Sequence, residues 1–311
     1  MTQINLLSSD KYNYLKQNML SACPTLFSDV AVEHLIFPDN EQYWRIKNPT
    51  QILGKPAVYI CGTVDDTAIF EAYNMSCTLV REGCSELHLV LPYFGYSTME
   101  RAVQDGEIVT AKNIARLFSS IPVSAKGNHI YMVDLHSVGT QYYFERDIHP
   151  IHLTTWPIIK QIIGQFGKDV VLASPDMGRA KWVQKMGMEL CLSTAYIMKK
   201  RLSGCQTEIV ALNADVSGRN VIIFDDMIRS GSSIIKAAQG YKEAGAEKIS
   251  VVCVHGVFVA GAVEQLKNSG LIDRVYCTNS HSRTTQMNDS FVLVYDISKI
   301  ITDGILSCIH N

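Results

Sequence analysis

The feature that most constrains the fold is the alternation of short apolar runs with segments of helical length. Six runs of four to six residues are rich in Val, Ile and Leu, as is typical of parallel strands buried on both faces. These runs cover residues 57–61, 87–91, 130–135, 170–173, 221–224 and 249–254. Helix-length segments lie between them, most clearly at 67–82 and 233–244. This order favours right-handed βαβ units and predicts an α/β fold in which helices flank a mostly parallel sheet.

An internal echo predicts that the chain contains two copies of one fold. The segment REGCSELHLVLPYFG around Gly83 resembles YKEAGAEKISVVCVHGVF around Gly245, 162 residues further on. Each ends a helix at a glycine, the residue best suited to a left-handed helix cap, and then enters a strand. Any α/β protein repeats helix, glycine and strand, so the echo alone leaves duplication open. The length of 311 residues suits two domains. A proline-containing stretch at 147–157 suits a domain boundary. The length and this stretch together predict domains at 1–150 and 151–311.

Composition excludes several classes of function. Lys plus Arg is 28 and Asp plus Glu is 30, so a net charge of −2 gives no general attraction for nucleic acid. Hydrophobic residues make up 47 %, too many for a disordered chain, yet no apolar run is long enough to span a membrane. The nine cysteines form no C-x-x-C pair, which favours reduced, buried thiols over a cysteine zinc site. We therefore expect a cytoplasmic globular protein without nucleic-acid or membrane partners, and the first residues do not resemble a signal peptide.

The most informative segment is NVIIFDDMIRSGSSIIKAAQ, in which a strand ends in two adjacent acids, Asp225 and Asp226. The loop that follows contains Arg229, Ser230, Gly231, Ser232 and Ser233. Loops after the carboxyl ends of parallel strands bind ligands in open α/β sheets, and the start of a helix attracts anions. The acids can accept hydrogen bonds from vicinal sugar hydroxyls. The layout suits a ribose 5-phosphate group; the alternative is a serine-capped helix after a strand with solvated acids.

This segment resembles the phosphoribosyl-diphosphate loop of the type I phosphoribosyltransferase fold. Four further segments, LVLPYFGYSTMERAVQDGEIVTAKNIARLFSSIP, VDLHSVGTQYYF, SPDMGRAK and IMKKR, occur in the order and rough spacing of ribose-phosphate diphosphokinases, the phosphoribosyl-diphosphate synthetases. The resemblance runs from Phe37 to His255 and is closest to the class II, plant-type branch. It implies two tandem type I phosphoribosyltransferase-like domains and a homo-oligomer. It also implies Mg²⁺-dependent transfer of the diphosphoryl group of ATP, or another nucleoside triphosphate, to the 1-hydroxyl of ribose 5-phosphate.

The resemblance also assigns roles to four residues of the reaction centre. His136 in VDLHS matches the family histidine at the metal and triphosphate site, and Asp176 in SPDMG matches the aspartate that helps to hold magnesium and the sugar. Lys199 and Arg201 in IMKKRLSG match the catalytic loop, whose cations grip the transferred phosphoryl group in the transition state. Without the resemblance, Asp176 would be interpreted as a turn former before Gly178, and the basic trio as a solvated cluster.

The nucleotide side rests on a shorter pattern. Phe37, Asp39 and Glu41 in IFPDNE match a loop whose aromatic ring stacks on the base and whose acids accept hydrogen bonds from base or ribose. In the family this loop reaches into a neighbouring subunit's site. Arg101, which is retained, is expected to bind phosphate together with His136. The alternative for IFPDNE is an ordinary surface turn.

The phosphate loop departs from the usual family pattern at two positions, which leaves the acceptor open. Arg229 stands in place of an acid or Gln, and Ser232 carries a side chain where Gly normally allows close backbone approach. An acceptor extended beyond its 5-phosphate, such as ADP-ribose, would place a second phosphate near Arg229 and give ADP-ribose 1-diphosphate for NAD or nucleotide synthesis. Plain ribose 5-phosphate remains the first expectation. The further alternatives are a phosphoribosyltransferase and a non-catalytic regulatory paralogue.

Overall fold

A computed structural model describes residues 3–203, 206–212, 214–287 and 290–309, and over 198–203 and 206–212 it describes the backbone alone. The chain divides into two compact units. Unit 1 comprises Met1–Thr154 together with Ile297–Asn311, and unit 2 comprises Thr155–Asp296. Within the described residues no helix is long and apolar enough to cross a membrane.

Unit 1 is built on a parallel sheet. In the part of it that the structure describes, six strands pair in the order β2-β1-β5-β6-β7-β8. They are β1 (Ile4–Ser8), β2 (Phe27–Asp29), β5 (Pro56–Ile60), β6 (Glu86–Leu91), β7 (Asn128–Val133) and β8 (Ile148–Leu153), while β3 (Val32–Ile36) and β4 (Gln42–Ile46) form a separate antiparallel hairpin. The helices are α1 (Asn13–Ala22), α2 (Asp66–Arg81), α3 (Thr110–Ser119) and, from the end of the chain, α8 (Ser298–Ile309).

The two faces of this sheet are covered differently. Leu87 and Leu89 of β6 belong to an apolar core with Leu79 of α2 and Phe118 of α3. Because side chains alternate along a strand, His88 points to the opposite face. Helix α8 contacts α1 and β8. Burial on both faces explains why the strands are near-continuous apolar runs in the sequence.

Unit 2 holds the second sheet. Across its described residues seven strands pair in the order β11-β10-β9-β12-β13-β14-β15, all parallel except the β10–β11 hairpin. They are β9 (Val170–Ser174), β10 (Ser193–Ser203), β11 (Gln206–Leu212), β12 (Asn220–Ile228), β13 (Ile249–Gly256), β14 (Arg274–Thr278) and β15 (Val292–Tyr295). The helices are α4 (Trp156–Gly164), α5 (Ala180–Leu190), α6 (Ser232–Glu243) and α7 (Ala262–Asn268). The predicted fold, α/β with parallel sheets flanked by helices, is confirmed.

The sequence echo corresponds to one local structure that occurs in both units. Gly83 follows α2 and Gly245 follows α6, with φ angles of 81° and 93°. The Gly83 carbonyl accepts a hydrogen bond from the Gly54 amide at 2.8 Å, and the Gly245 carbonyl accepts one from the Gly218 amide at 2.9 Å. Each glycine therefore ends a helix in the left-handed region. Its carbonyl also accepts a hydrogen bond from the loop that precedes the strand before that helix.

The division of the chain differs from the predicted division at residue 150. Strand β8 continues to Leu153, so the first unit ends later, at Thr154. Helix α8 belongs to unit 1 rather than to the C-terminal half, because its apolar face is buried there. A Cβ on Gly304 would lie 2.6 Å from the Leu153 side chain. The chain thus returns to its first unit after completing the second.

Candidate active site

Strand β12 carries the two adjacent acids beyond the end of its neighbour. Its pairing with β9 ends at Ile223 and Ala173, whereas its pairing with β13 continues to Ile228 and Gly256. The strand therefore does not stop at residue 224, as the apolar run predicted, but continues through both acids. They lie at the carboxyl edge of the sheet, the edge at which open α/β sheets bind ligands.

Arg179 neutralises this acidic pair. Its guanidinium forms an ion pair with Asp226, and its Nε lies 3.8 Å from Asp225 Oδ1. The Asp226 amide donates a hydrogen bond to Asp225 Oδ1 at 2.9 Å. Burial, reinforced by the neighbouring Asp226 carboxylate, raises the pKa of Asp225 to about 8, although Arg179 opposes the shift. One guanidinium thus faces two carboxyl groups, whose oxygens can accept hydrogen bonds from a polar ligand.

The loop after β12 depends on one glycine. Gly231 has a φ of 79° and precedes α6, and its carbonyl accepts a hydrogen bond from the Ile235 amide at 2.9 Å. A Cβ at this position would lie 2.9 Å from Leu266 Cδ2. Both the backbone conformation and the space require glycine here.

The same loop presents hydroxyls and a cation to solvent. The hydroxyls of Ser230 and Ser232 lie 3.1 Å apart within hydrogen-bonding distance. Arg229, Ser230, Ser232 and Ser233 are exposed. The first turn of α6 starts at this point, where backbone amides have no partner within the helix, so the loop and the helix dipole favour an anion.

Asp176 forms a turn after β9. Its Oδ1 accepts a hydrogen bond from the Gly178 amide at 2.8 Å, which is the turn-forming role weighed from the sequence. The carboxylate is half-buried. Because Arg179 follows Gly178, this turn also positions the Arg179 side chain to contact the acids of β12.

Lys199 and Arg201 lie on the backbone of a hairpin. Strand β10 pairs with β9 as far as Tyr196, and beyond it Lys199 is opposite Ile209 and Arg201 is opposite Thr207 of β11. The predicted catalytic loop is therefore an arm of this hairpin that extends past the end of β9. The side chains of both residues lie outside the described part of the chain.

The nucleotide residues predicted from IFPDNE lie at the tip of the β3–β4 hairpin in unit 1. The Phe37 amide donates to the Glu41 carbonyl at 2.9 Å, and the Glu41 amide donates to Asp39 Oδ1 at 3.1 Å. The Phe37 ring is 45 % exposed, with its centre 6.0 Å from that of Tyr43. The tip is a tight surface turn that displays one aromatic ring and two acids.

His136 follows β7 in the same unit and is half-buried. The amide of the residue before it, Leu135, donates a hydrogen bond to Nε2 of His152 on β8 at 3.2 Å. Burial lowers the pKa of His152, although the Asp134 carboxylate opposes the shift, so the ring is a neutral acceptor. Arg101 is exposed, with its Nε 3.6 Å from Glu100 Oε1.

Two of these polar residues escaped sequence reasoning. Arg179 stands three residues after Asp176, in the turn after β9, but only the pairing of β9 with β12 brings it near the acids. His152 ends a strand next to the one that leads to His136, but only the pairing of β7 with β8 makes them neighbours. The structure places Asp176, Asp225, Asp226 and the phosphate loop in unit 2, and the nucleotide residues with His136 in unit 1.

Comparison with known proteins identifies the family. Residues 4–121 match the family described as the N-terminal domain of ribose phosphate pyrophosphokinase, and residues 189–311 match a phosphoribosyl synthetase-associated domain. The ribose-phosphate pyrophosphokinase of Pyrococcus furiosus is 30 % identical over 251 residues, which are 80 % of this chain and 85 % of that protein. The chain belongs to the ribose-phosphate pyrophosphokinase family. The predicted family and its enzyme class, diphosphotransferase, are thereby confirmed.

Further relatives agree with this result. The ribose-phosphate pyrophosphokinase of Saccharolobus solfataricus is 29 % identical over 279 residues, covering 88 % of this chain and 90 % of its own. The crystal structure of phosphoribosylpyrophosphate synthetase from Mycobacterium smegmatis shares the fold, with a TM-score of 0.87 over 100 % of both chains at 22 % identity. Assignment to the class II branch stays a prediction.

The residues present fit the magnesium that the family implies. Asp176 offers a half-buried carboxylate at the end of β9, and His136 is half-buried after β7. Mg²⁺ prefers oxygen ligands and keeps several waters, so it needs few protein groups when a substrate supplies phosphate oxygens. The half-buried Asp176 carboxylate is an oxygen ligand of this kind.

Proposed function

We propose that this enzyme transfers the diphosphoryl group of ATP, or another nucleoside triphosphate, to the 1-hydroxyl of ribose 5-phosphate. The observation that carries the proposal is the acidic pair of β12 followed directly by the Gly/Ser loop at the start of α6. Carboxylates suited to a sugar diol and amides suited to a phosphate thus stand side by side on one strand and one loop. The products are phosphoribosyl diphosphate and AMP.

The acceptor binds through its two ends. Its 5-phosphate takes hydrogen bonds from the loop hydroxyls and from the first amides of α6, and its vicinal hydroxyls donate to Asp225 and Asp226. Sugar hydroxyls can replace part of the contact between Asp226 and Arg179, which keeps a cation near the ligand. The acceptor is thereby held in one orientation, which is the main requirement of phosphoryl-transfer catalysis.

In the transfer step the 1-hydroxyl oxygen attacks the β-phosphorus. The bond from that phosphorus to the α–β bridging oxygen breaks, AMP leaves, and the hydroxyl proton is released. We assign Lys199 and Arg201 to the charge that develops on the transferred group, where Arg provides a fork and Lys a point charge. We assign Asp176 and His136 as the residues that would bind Mg²⁺, which would neutralise further phosphate oxygens when bound.

The nucleotide is assigned to unit 1. Phe37 offers its exposed ring to the base, Asp39 and Glu41 accept hydrogen bonds from base or ribose, and Arg101 contributes to phosphate binding. We infer a homo-oligomer in which this hairpin serves a neighbouring subunit, because Ile36 beside Phe37 is also strongly exposed. Sedimentation of the wild-type chain and of Ile36→Asp tests the assembly: a monomeric wild type would contradict it.

The decisive assay measures AMP release from ATP with and without ribose 5-phosphate and Mg²⁺. We expect release only when all three are present. Lys199→Ala should lower the rate by about 10²- to 10³-fold, as does loss of one group that stabilises transition-state charge, while Lys299→Ala on α8 should not change it. An unchanged rate in Lys199→Ala would refute the role of this lysine. No AMP with any acceptor would favour the non-catalytic paralogue.

A second acceptor is favoured by one observation, the exposed Arg229 at the edge of the phosphate loop. A ribose 5-phosphate moiety extended by a nucleotide, as in ADP-ribose, carries a second phosphate that this cation can meet, and the product would be ADP-ribose 1-diphosphate. Arg229→Gln should then lower kcat/KM for ADP-ribose by roughly tenfold, an energy of about 1.4 kcal/mol, and change that for ribose 5-phosphate little. No turnover of ADP-ribose by the wild type would exclude the extended acceptor.

A further inference from the structure

A buried trio of metal-binding side chains lies on the sheet of unit 1, away from the residues discussed above. Glu86 and His88 are two residues apart on β6 and therefore share a face of the sheet, and His129 is the register partner of His88 on β7. One ligand atom from each of the three lies within 4.8 Å of the others. Among the described residues this is the one such group of His, Cys, Asp and Glu.

The two imidazoles face the carboxylate but form no hydrogen bond with it. His88 Nε2 lies 3.5 Å and His129 Nδ1 lies 3.4 Å from Glu86 Oε1. Both nitrogens are buried and have no hydrogen-bond partner. A buried polar atom without a partner destabilises the folded state, so two such nitrogens around one carboxylate indicate that a further group binds between them.

We propose that Glu86, His88 and His129 bind a transition-metal dication of the zinc class. Zinc bound by imidazole and carboxylate has ligand distances of about 2.0 to 2.2 Å, so two ligands in a tetrahedral site lie roughly 3.3 Å apart. The two distances to Glu86 Oε1 are close to this value. Two histidines and a glutamate are a known zinc donor set, with water in the fourth position.

The hydrogen bond of His88 supports this assignment. Its Nδ1 lies 2.8 Å from the hydroxyl of Tyr131, which is on the same face of β7. A histidine that ligates a metal through one nitrogen normally donates the other N–H to a nearby oxygen, which fixes the tautomer. Tyr131 is therefore placed to hold His88 with Nε2 as the lone-pair nitrogen. Burial, with His88 adding to it, lowers the pKa of His129 to about 4, so this ring is neutral at pH 7.

The site has a route to solvent. His88 is fully buried, the His129 side chain is 15 % exposed, and His149 on the edge strand β8 is exposed. The His129 ring centre lies 5.0 Å from that of His88 and 5.2 Å from that of His149. The His88 and His129 rings are nearly parallel, so metal binding requires one ring to rotate. An ion can enter past His149.

The trio lies at the amino ends of β6 and β7, whereas His136 follows the carboxyl end of β7. The proposed ion is thus separate from the proposed catalytic magnesium and independent of the proposed function. Its chemistry differs too, because Mg²⁺ prefers oxygen ligands in octahedral geometry whereas imidazole favours zinc and its neighbours. The role that follows from this position is to link β6 to β7.

Zinc binding by the full chain tests the proposal. The wild-type chain is first stripped with a chelator and then dialysed against Zn²⁺ in excess Mg²⁺. It should retain one zinc per chain, and His136→Gln should retain the same amount. Replacement by Co²⁺ should give the visible absorption of a tetrahedral site. Glu86→Gln and His129→Gln should bind at least 100-fold more weakly, and Tyr131→Phe roughly tenfold more weakly, as is usual for an outer partner.

Controls separate this site from adventitious binding and from misfolding. His34→Gln removes a histidine elsewhere in unit 1 and should bind zinc as the wild type does. Far-UV circular dichroism shows whether each variant is folded, and Tyr131→Phe keeps the shape of a core residue. The proposal would be overturned if the wild-type chain bound no zinc, or if only His136→Gln lost it. An unchanged zinc affinity in folded Glu86→Gln or His129→Gln would also overturn it.

Discussion

Arg179 and Asp226 form an ion pair at the carboxyl edge of the second sheet. Both side chains are mostly buried, and Asp225 lies next to them with a raised pKa. One guanidinium thus faces two carboxylates that a strand places side by side. This relationship determines how the acceptor site depends on pH and on substitution.

Replacing Arg179 should reveal how far it neutralises the acids. Arg179→Met should lower the free energy of unfolding by about 2 kcal/mol at pH 8, a value that includes a discount for partial exposure, because a largely buried carboxylate pair then loses the guanidinium that faces it. At pH 5 the loss should be smaller, since Asp225 is protonated. Urea unfolding at both values measures this, with the exposed Arg81→Met as control. Equal losses at both pH values would contradict the explanation.

The raised pKa of Asp225 predicts a pH dependence of stability with a definite sign. An unfolded Asp has a pKa of about 3.9, whereas burial and Asp226 raise that of folded Asp225 to about 8. Between these values the native state binds a proton that the unfolded state lacks. The stabilisation is therefore complete below about pH 4 and is lost as the pH rises to about 8.

Asp225→Asn should remove this loss, so the variant gains stability relative to wild type as pH rises from 4 to 8. The gain is of the order of a few kcal/mol, and the urea midpoints of both proteins at several pH values measure it. Asp169→Asn, at a side chain that is 95 % exposed, should show no such trend. A constant difference between Asp225→Asn and wild type would show that Asp225 titrates normally.

Much of the fold follows from local sequence patterns, but the site depends on strand pairing. The helices predicted at 67–82 and 233–244 form at Asp66–Arg81 and Ser232–Glu243, because apolar spacing and a glycine cap act within one segment. The apolar run at 221–224 gave the start of β12 but not its end. Pairing with β13 carries the strand on through both acids, and no local pattern contains that partner.

Residues brought together by register were the ones that the sequence did not reveal. His88 and His129 are 41 positions apart, and they meet only because β6 and β7 pair in parallel with these residues opposite one another. The same holds for Arg179, because Asp225 and Asp226 follow it by 46 and 47 positions. Motif spacing predicts the loops that follow strands, whereas contacts between strands require the sheet order.

Gly231 should be indispensable for acceptor binding. Gly231→Ala forces a φ of 79° on a residue with a Cβ that would lie 2.9 Å from Leu266, so the loop must shift. We expect KM for the acceptor to rise at least tenfold and KM for ATP to change little, with a stability loss of about 1 to 3 kcal/mol. Gly164→Ala, at a helical glycine with open space around it, is the matched control. Equal effects on both KM values would show a general loss of structure.

His152 is expected to act as a positioning residue for His136. Its Nε2 accepts the Leu135 amide, so His152→Phe leaves that amide without its acceptor and frees the backbone before His136. The rate of AMP release should fall by roughly tenfold, about 1.4 kcal/mol in the barrier, and the unpartnered amide should lower the free energy of unfolding by about 1 to 3 kcal/mol. His152→Gln keeps an acceptor oxygen and should recover part of the rate. Equal rates for the two variants would refute the hydrogen-bond argument.

Because α8 packs in unit 1, a substitution in this helix should destabilise unit 1 and not unit 2. Ile305 is fully buried, so Ile305→Ala should destabilise its own unit by about 2 to 5 kcal/mol. Hydrogen exchange should lose protection in β7 and β8 and keep it in β12 and β13. Ile234→Ala, at a buried position of α6, should give the reverse pattern because its contacts lie in the core of unit 2. If Ile305→Ala instead exposed β12 and β13, the last helix would belong to the second unit, as the tandem division at residue 150 predicts.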